Sequence, residues 1–171
     1  MTNWEEKCCR AILLVNAKIE NFRRLTFWQK ALVTSTHFRI HVRTTRSLKI
    51  ITETQPGDIL IVAAQLGLRH RGRSPRRVRE MYTVNEFGLG SLEAGSIILT
   101  HPERLGGFLE LSMDCPGDEF APNVDDGHDA KIFSGTPNYG FDIGGIKYRI
   151  YDFSAISGRS GSATGFLPTG V

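Results

Sequence analysis

The sequence predicts an α+β protein in which a long N-terminal helical segment packs on a mostly antiparallel curved β-sheet or small β-barrel. Three observations carry this. Apolar residues recur by threes and fours up to about residue 33 and by twos after residue 36. The 18 glycines cluster beyond Gly57, where they suit tight turns between short strands. No helical pattern alternates with the strand-like runs, which argues against a parallel βαβ sheet.

The helical segment comes first. Trp4, Cys8, Ala11, Ile12, Val15, Ile19 and Phe22 form one stripe, and Thr2 with Glu5 fits a capping box at its start. An unbroken helix over 3–33 would reach about 45 Å, long for a chain of this size. Thr26 and Gln29 offer a second capping box. A break is therefore expected near Leu25, followed by a short helix carrying Phe27, Trp28, Ala31 and Leu32.

Strands are expected from there on. Phe38, Ile40 and Val42 alternate with His37, Arg39, His41 and Arg43, a half-buried strand with a basic outer face. Residues 47–54 continue the alternation. Gln55-Pro56-Gly57 and Glu93-Ala94-Gly95 each read as a turn launching a buried strand, to Val62 and to Thr100. Weaker strands follow at 79–84, 108–113, 130–133 and 140–153, with Gly144-Gly145 marking a hairpin turn or bulge. Residues 154–171 are rich in Gly and Ser and lack periodicity, which reads as a loose tail. The predicted organisation is one α+β domain over 1–153, helical over 3–33 and mainly β over 36–153, followed by that tail.

Composition narrows the class. No run approaches the ~18–20 apolar residues of a membrane span, and Glu5 and Glu6 stand where a signal peptide wants positive charge. A cytoplasmic location is expected, with no membrane partner. Cys8, Cys9 and Cys115 make neither a disulfide framework nor a zinc ligand set. Residues 1–104 hold 17 lysines and arginines against 9 acidic residues, and residues 105–171 hold 4 against 9. The two halves can attract each other within the fold or between subunits, or mark an anion-binding face.

The densest local feature is the anion-binding candidate Arg69, Arg71, Arg73, Arg76, Arg77 and Arg79, read as an exposed loop broken by Gly72 and Pro75. Its guanidinium forks suit phosphates and carboxylates. No aromatic residues interleave, so no base-stacking platform is visible. The acidic segment 114–129 contains the candidate metal ligands Asp125, Asp126, His128 and Asp129, without a complete calcium loop or a second histidine at ligand spacing. Cys115 with His128 would make a nucleophile and base, but surrounding carboxylates work against a thiolate. Residues 158–165 look like a phosphate cradle yet lack the Gly-Lys-Ser/Thr ending of a P-loop. His37 and His41 are roughly 13 Å apart on a strand, too far to share a metal. The aromatics from Tyr82 to Phe153 are read as core in preference to a pocket lining.

No cofactor is expected. The first functional expectation is a non-enzymatic binding or assembly module that forms a homo-oligomer. The alternatives are nucleic-acid, acidic-protein or other polyanion binding through residues 69–79, and a small-molecule barrel or enzyme with a pocket near His128 and Cys115.

Overall fold

The N-terminal stripe does form a helix, and its end marks the first departure from expectation. In the computed structural model, which describes residues 4–27, 30–101, 103–107, 110–121 and 133–168, helix α1 runs Trp4–Phe22. It buries Cys8, Cys9, Ile12, Asn16 and Ile19. The helical pattern is then lost: Leu25–Phe27 is strand β1, lying parallel to a later strand, and only a 3-10 turn, Lys30–Leu32, follows. The break falls where it was expected, but β-branched Thr26 and aromatic Phe27 extend instead of starting a second helix.

Beyond residue 36 the chain mixes helices with strands. The order is β2 (Phe38–Ile40), α2 (Val42–Thr54), β3 (Ala63–Arg71), α3 (Pro75–Met81), β4 (Glu86–Gly88) and α4 (Ser91–Thr100). Then come β5 (Ser112–Asp114), β6 (Asp118–Phe120), β7 (Gly135–Asp142), β8 (Gly145–Asp152) and β9 (Ser160–Phe166). Four strand expectations are thus corrected, the first being residues 58–62, which have no regular structure ahead of β3; the strand expected at 130–133 lies outside the described residues except for Phe133. Residues 47–54 lie in α2, residues 93–100 in α4, and residues 79–81 end α3. The reading of 36–153 as mainly β is corrected with them.

The nine described strands join one mixed sheet that is not closed into a barrel, with the path β1-β8-β7-β5-β9-β3. The β1–β8 and β5–β9 pairs are parallel; the others are antiparallel. The expected hairpin is present, β8 starting at Gly145 with φ +116°. The expected loose tail is corrected most sharply. Its residues 160–166 form β9, which is flanked on both edges and mostly buried. The small side chains that made it look flexible are what let strands crowd there: a Cβ on Gly161 would lie 2.0 Å from the Gly67 carbonyl oxygen.

One face of the sheet carries the main core, where Met113, Tyr139, Ile146, Tyr148 and Phe120 meet Cys8, Ile12 and Ile19 of α1 and Ala94 and Ile98 of α4. A smaller cluster of Ile51, Phe87, Leu89 and Ala163 seats α2 beside it. The other face is polar. Asn138, Asp114 and Ser162 form a registered row across three strands, all buried.

Candidate functional site

The site is built around one glycine. Helix α4 begins after Gly90, whose N–H donates to Glu93 Oε2 at 2.8 Å, the return half of a capping box. The Pro116-Gly117 turn approaches this corner backbone to backbone. A Cβ on Gly117 would lie 2.6 Å from Gly88 O and 2.7 Å from Gly90 N, so only glycine permits the contact. Gly117 N–H donates to Leu89 O at 2.9 Å. The turn therefore delivers Asp118 over the first turn of α4, where its Oδ2 accepts the Ser91 N–H at 2.6 Å. A Cβ on Gly90 would lie 2.4 Å from Asp118 Oδ1 and 2.8 Å from Glu93 Oε2. Two carboxyl groups thus flank the same residue, at the helix end whose dipole favours negative charge.

Arg79 holds the turn in place. Its Nε donates to Pro116 O at 2.9 Å, its Nη2 to Asp118 O at 3.0 Å and its Nη1 to Glu119 Oε1 at 2.9 Å.

In front of the carboxyl pair lies an apolar cleft of about 950 Å³. Trp4, Cys8 and Ile12 line it from α1, Phe38 and Ile40 from β2, Leu48 from α2, and Leu92 and Ile97 from α4. Ile59, Leu60 and Val62 close the remaining side. This last wall has no regular structure, but Gln55 braces it: its side-chain amide donates to Ile61 O and accepts from Ile61 N–H, both at 2.8 Å.

The apolar surroundings act on the acids. Burial, and then the neighbouring Glu93, pushes the Asp118 carboxyl from 3.8 up to about 7. Burial raises Glu93 as well. In the same wall burial, then Asp118, pushes the Cys8 thiol up to about 12. Among the described residues no ion pair engages Glu93 or Asp118. Lys49, which also lines the cleft, pairs with Glu53 at 3.8 Å.

The residues singled out in the sequence fall elsewhere. The six arginines do not form one exposed loop. Arg69 and Arg71 end β3, Gly72 turns the chain at φ +72°, and Arg76, Arg77 and Arg79 lie on α3, capped by Ser74. The Arg79 side chain is only 10% exposed and is committed to the acidic segment, as above. Arg69 pairs with buried Glu86 at 3.4 Å. His70, inside the same run, is buried against Glu86 at 2.7 Å. Arg71, Arg73, Arg76 and Arg77 remain exposed. Asp125, Asp126, His128 and Asp129 lie outside the described residues, and among the described ones no group of three or more His, Cys, Asp or Glu stands close enough to hold a metal. Cys115 is fully buried and desolvation pushes its thiol well above 9.0, so it is held as the neutral thiol. His41 lies at the N-terminal cap of α2 and His37 bonds Thr34. Of the cradle-like residues 158–165, which lack a P-loop ending, 160–165 lie in β9. Tyr139, Tyr148 and Phe87 are core, as expected.

No model of a known protein family, no curated protein and no solved structure matches the chain. No described helix is long and apolar enough to cross a membrane.

Proposed function

We propose that this chain is a binding protein for a small, largely apolar molecule with one polar end, taken up in the cleft between α1, α2 and α4. The observation that carries the reading is the pairing of an apolar cleft of about 950 Å³ with the buried Asp118 carboxyl and the half-buried Glu93 carboxyl in its lining. Binding sites for small molecules are concave and mostly apolar, with a few fixed polar groups that orient the ligand. Buried acids shifted by desolvation inside a cleft are the electrostatic counterpart of that pattern. The reading joins the sequence expectation of a binding module to its small-molecule alternative, and moves the pocket from Cys115 and His128 to Asp118 and Glu93.

Trp4 reports on it directly, because it lines the cleft and is 58% exposed. A ten-carbon chain buried at ~0.8 kcal/mol per CH₂ gains roughly 8 kcal/mol before ordering costs, so a dissociation constant of roughly 10–100 µM is expected. In a Trp28→Phe background, 1-decanol is expected to change Trp4 fluorescence saturably in that range. Ser96→Phe, which places a large ring in the cleft from α4 without adding a fluorophore that competes with Trp4, is expected to abolish the response while leaving thermal unfolding nearly unchanged. A linear, unsaturable response in the unfilled cleft would remove the proposal.

Two other surfaces support separate readings. Ile59 and Ile61, 83% and 80% exposed beside the cleft mouth, favour self-association. Exposed Arg71, Arg73, Arg76 and Arg77 favour a polyanion partner.

A further inference from the structure

We infer that the polar end of the cleft's ligand is a cation, a primary ammonium carried on an apolar chain and held between Glu93 and Asp118. The inference rests on the cleft reading above and adds the chemical class of the ligand to it.

Carboxyl groups this deep in a fold are ordinarily matched by a cation or fully hydrogen-bonded. Here Asp118 accepts from the Ser91 N–H and the Ser91 side chain, and Glu93 from the Gly90 N–H and its own N–H, but among the described residues neither has an ion-pair partner. The Arg79 guanidinium acts on the Asp118 carboxyl only at a distance, lowering it against burial, because its hydrogen bonds go to the Asp118 backbone carbonyl, Pro116 O and Glu119. The groups around Asp118 do not supply the charge either. Helix α4 contributes Glu93, which raises Asp118 further, while Cys8 of α1 and Cys115 on the same turn are held as neutral thiols and supply no charge. Across the cleft stand Asp58 and, on α2, the Lys49–Glu53 pair. The cleft thus has an apolar body and an acidic end whose two carboxyl groups make no ion pair among the described residues.

An ammonium is the group this geometry completes. Its N–H donors match the carboxylate oxygens, and its charge restores what burial took from them. A carboxylate-headed ligand would meet two acids and be repelled. An alcohol would bind through its chain alone. The same logic couples affinity to pH: an ammonium needs ionised Asp118, whereas a primary amine stays protonated well past neutrality, like a lysine side chain.

The test compares decylamine, 1-decanol and decanoate by Trp4 fluorescence in the Trp28→Phe background. At pH 8 decylamine is expected to bind at least ~10-fold tighter than decanol and decanoate weakest. At pH 5.5 the amine's advantage is expected to shrink to about threefold or less. Asp118→Asn keeps an acceptor for the Ser91 N–H. It is expected to retain decanol binding and lose the preference for the amine at both pH values; Glu93→Gln serves as a second variant. Equal binding of amine and alcohol to the unmutated cleft at pH 8 would overturn the inference and leave the cleft reading standing. So would tightest binding by decanoate, or an amine preference that survives in both variants. Absence of any saturable response to all three would bring down the cleft reading and the inference with it.

Discussion

Asp118 lines the cleft beside Glu93. It is laid against a helix start by a Pro-Gly turn, is 3% exposed, and makes no ion pair among the described residues, Arg79 acting on it only at a distance. Its carboxyl moves from 3.8 to about 7, burial being the first cause and Glu93 the second. The folded chain therefore holds a proton that the unfolded chain releases between about pH 4 and pH 7. More protons bound in the native state means that stability falls as pH rises through that window and levels off above it. Glu93 and Asp114, both raised mainly by burial, the latter to about 6, add slope of the same sign. Asp118→Asn is expected to flatten the profile and to stabilise the protein at pH 8 by roughly 2–4 kcal/mol, with little effect at pH 4. Urea unfolding at the two pH values checks it. Equal or lower stability of the variant at pH 8 would mean that burial does not penalise this carboxylate.

At the scale of elements, the errors of sequence reading have physical causes. The alternation of Leu48, Ile50 and Thr52 suggested a strand, yet α2 buries Thr44, Ser47 and Ile51, which are spaced by three and four. Two of those three are small polar residues, so the buried face carries no hydrophobic signal. Thr44 is buried because its hydroxyl donates to Gly88 O at 2.8 Å, a partner 44 residues away. In α4 the misleading residue was Gly95, taken as part of a turn. It sits mid-helix because α1 and β7 approach there: its Cβ would meet Val15 Cγ1 at 2.6 Å and Tyr139 Oη at 2.8 Å. The α1 stripe and the Gly144-Gly145 hairpin were legible because their signals are local. The cleft was not, since its walls come from segments between Trp4 and Asp118 that share no spacing. Asp118 was visible only as one acid in an acidic run, and Glu93 only as part of the supposed turn. Gly95 also separates two opposed effects. Helix propensity alone makes Gly95→Ala stabilising by up to about 1 kcal/mol. The Tyr139 ring, fixed by its hydroxyl's 2.8 Å hydrogen bond to Asn16, leaves no room for the methyl group. A net loss of roughly 1–3 kcal/mol is expected. Chemical denaturation measures it, and a stabilised variant would show that α1 and β7 yield readily.

For the whole molecule, the charge asymmetry of the sequence is resolved partly within the fold. Arg79 and Arg39 both reach Glu119, at 2.9 and 2.6 Å, so the basic first half grips the acidic second half at that point. Arg71, Arg73, Arg76 and Arg77 are not absorbed in this way. Arg76 and Arg77 share Glu80 in exposed contacts, which hold side chains only weakly against a competing anion. Arg71 and Arg73 donate to the carbonyls of Gly158 and Arg69 and keep their charge. Four such cations, engaging a single-stranded RNA, give a log–log salt slope of about −3. No aromatic residue interleaves with the arginines along the chain, and only the Phe153 ring stands near one of these four, 5.9 Å from Arg76 among the described residues, so the complex should be weak and indifferent to sequence. Sedimentation of the chain with a labelled 20-nucleotide RNA is expected to show a complex at 50 mM salt that dissociates by 300 mM. Replacing Arg73, Arg76 and Arg77 by Ala is expected to remove it without altering the cleft, which shares none of these residues. The same runs without RNA report on self-association. A cleft rim carrying Ile59 and Ile61 predicts twice the chain mass, reverting to the monomer in Ile59→Asp with Ile61→Asp. Monomer at every concentration would leave the rim to the ligand alone, and RNA binding that ignores salt would show that the arginines are not what holds it.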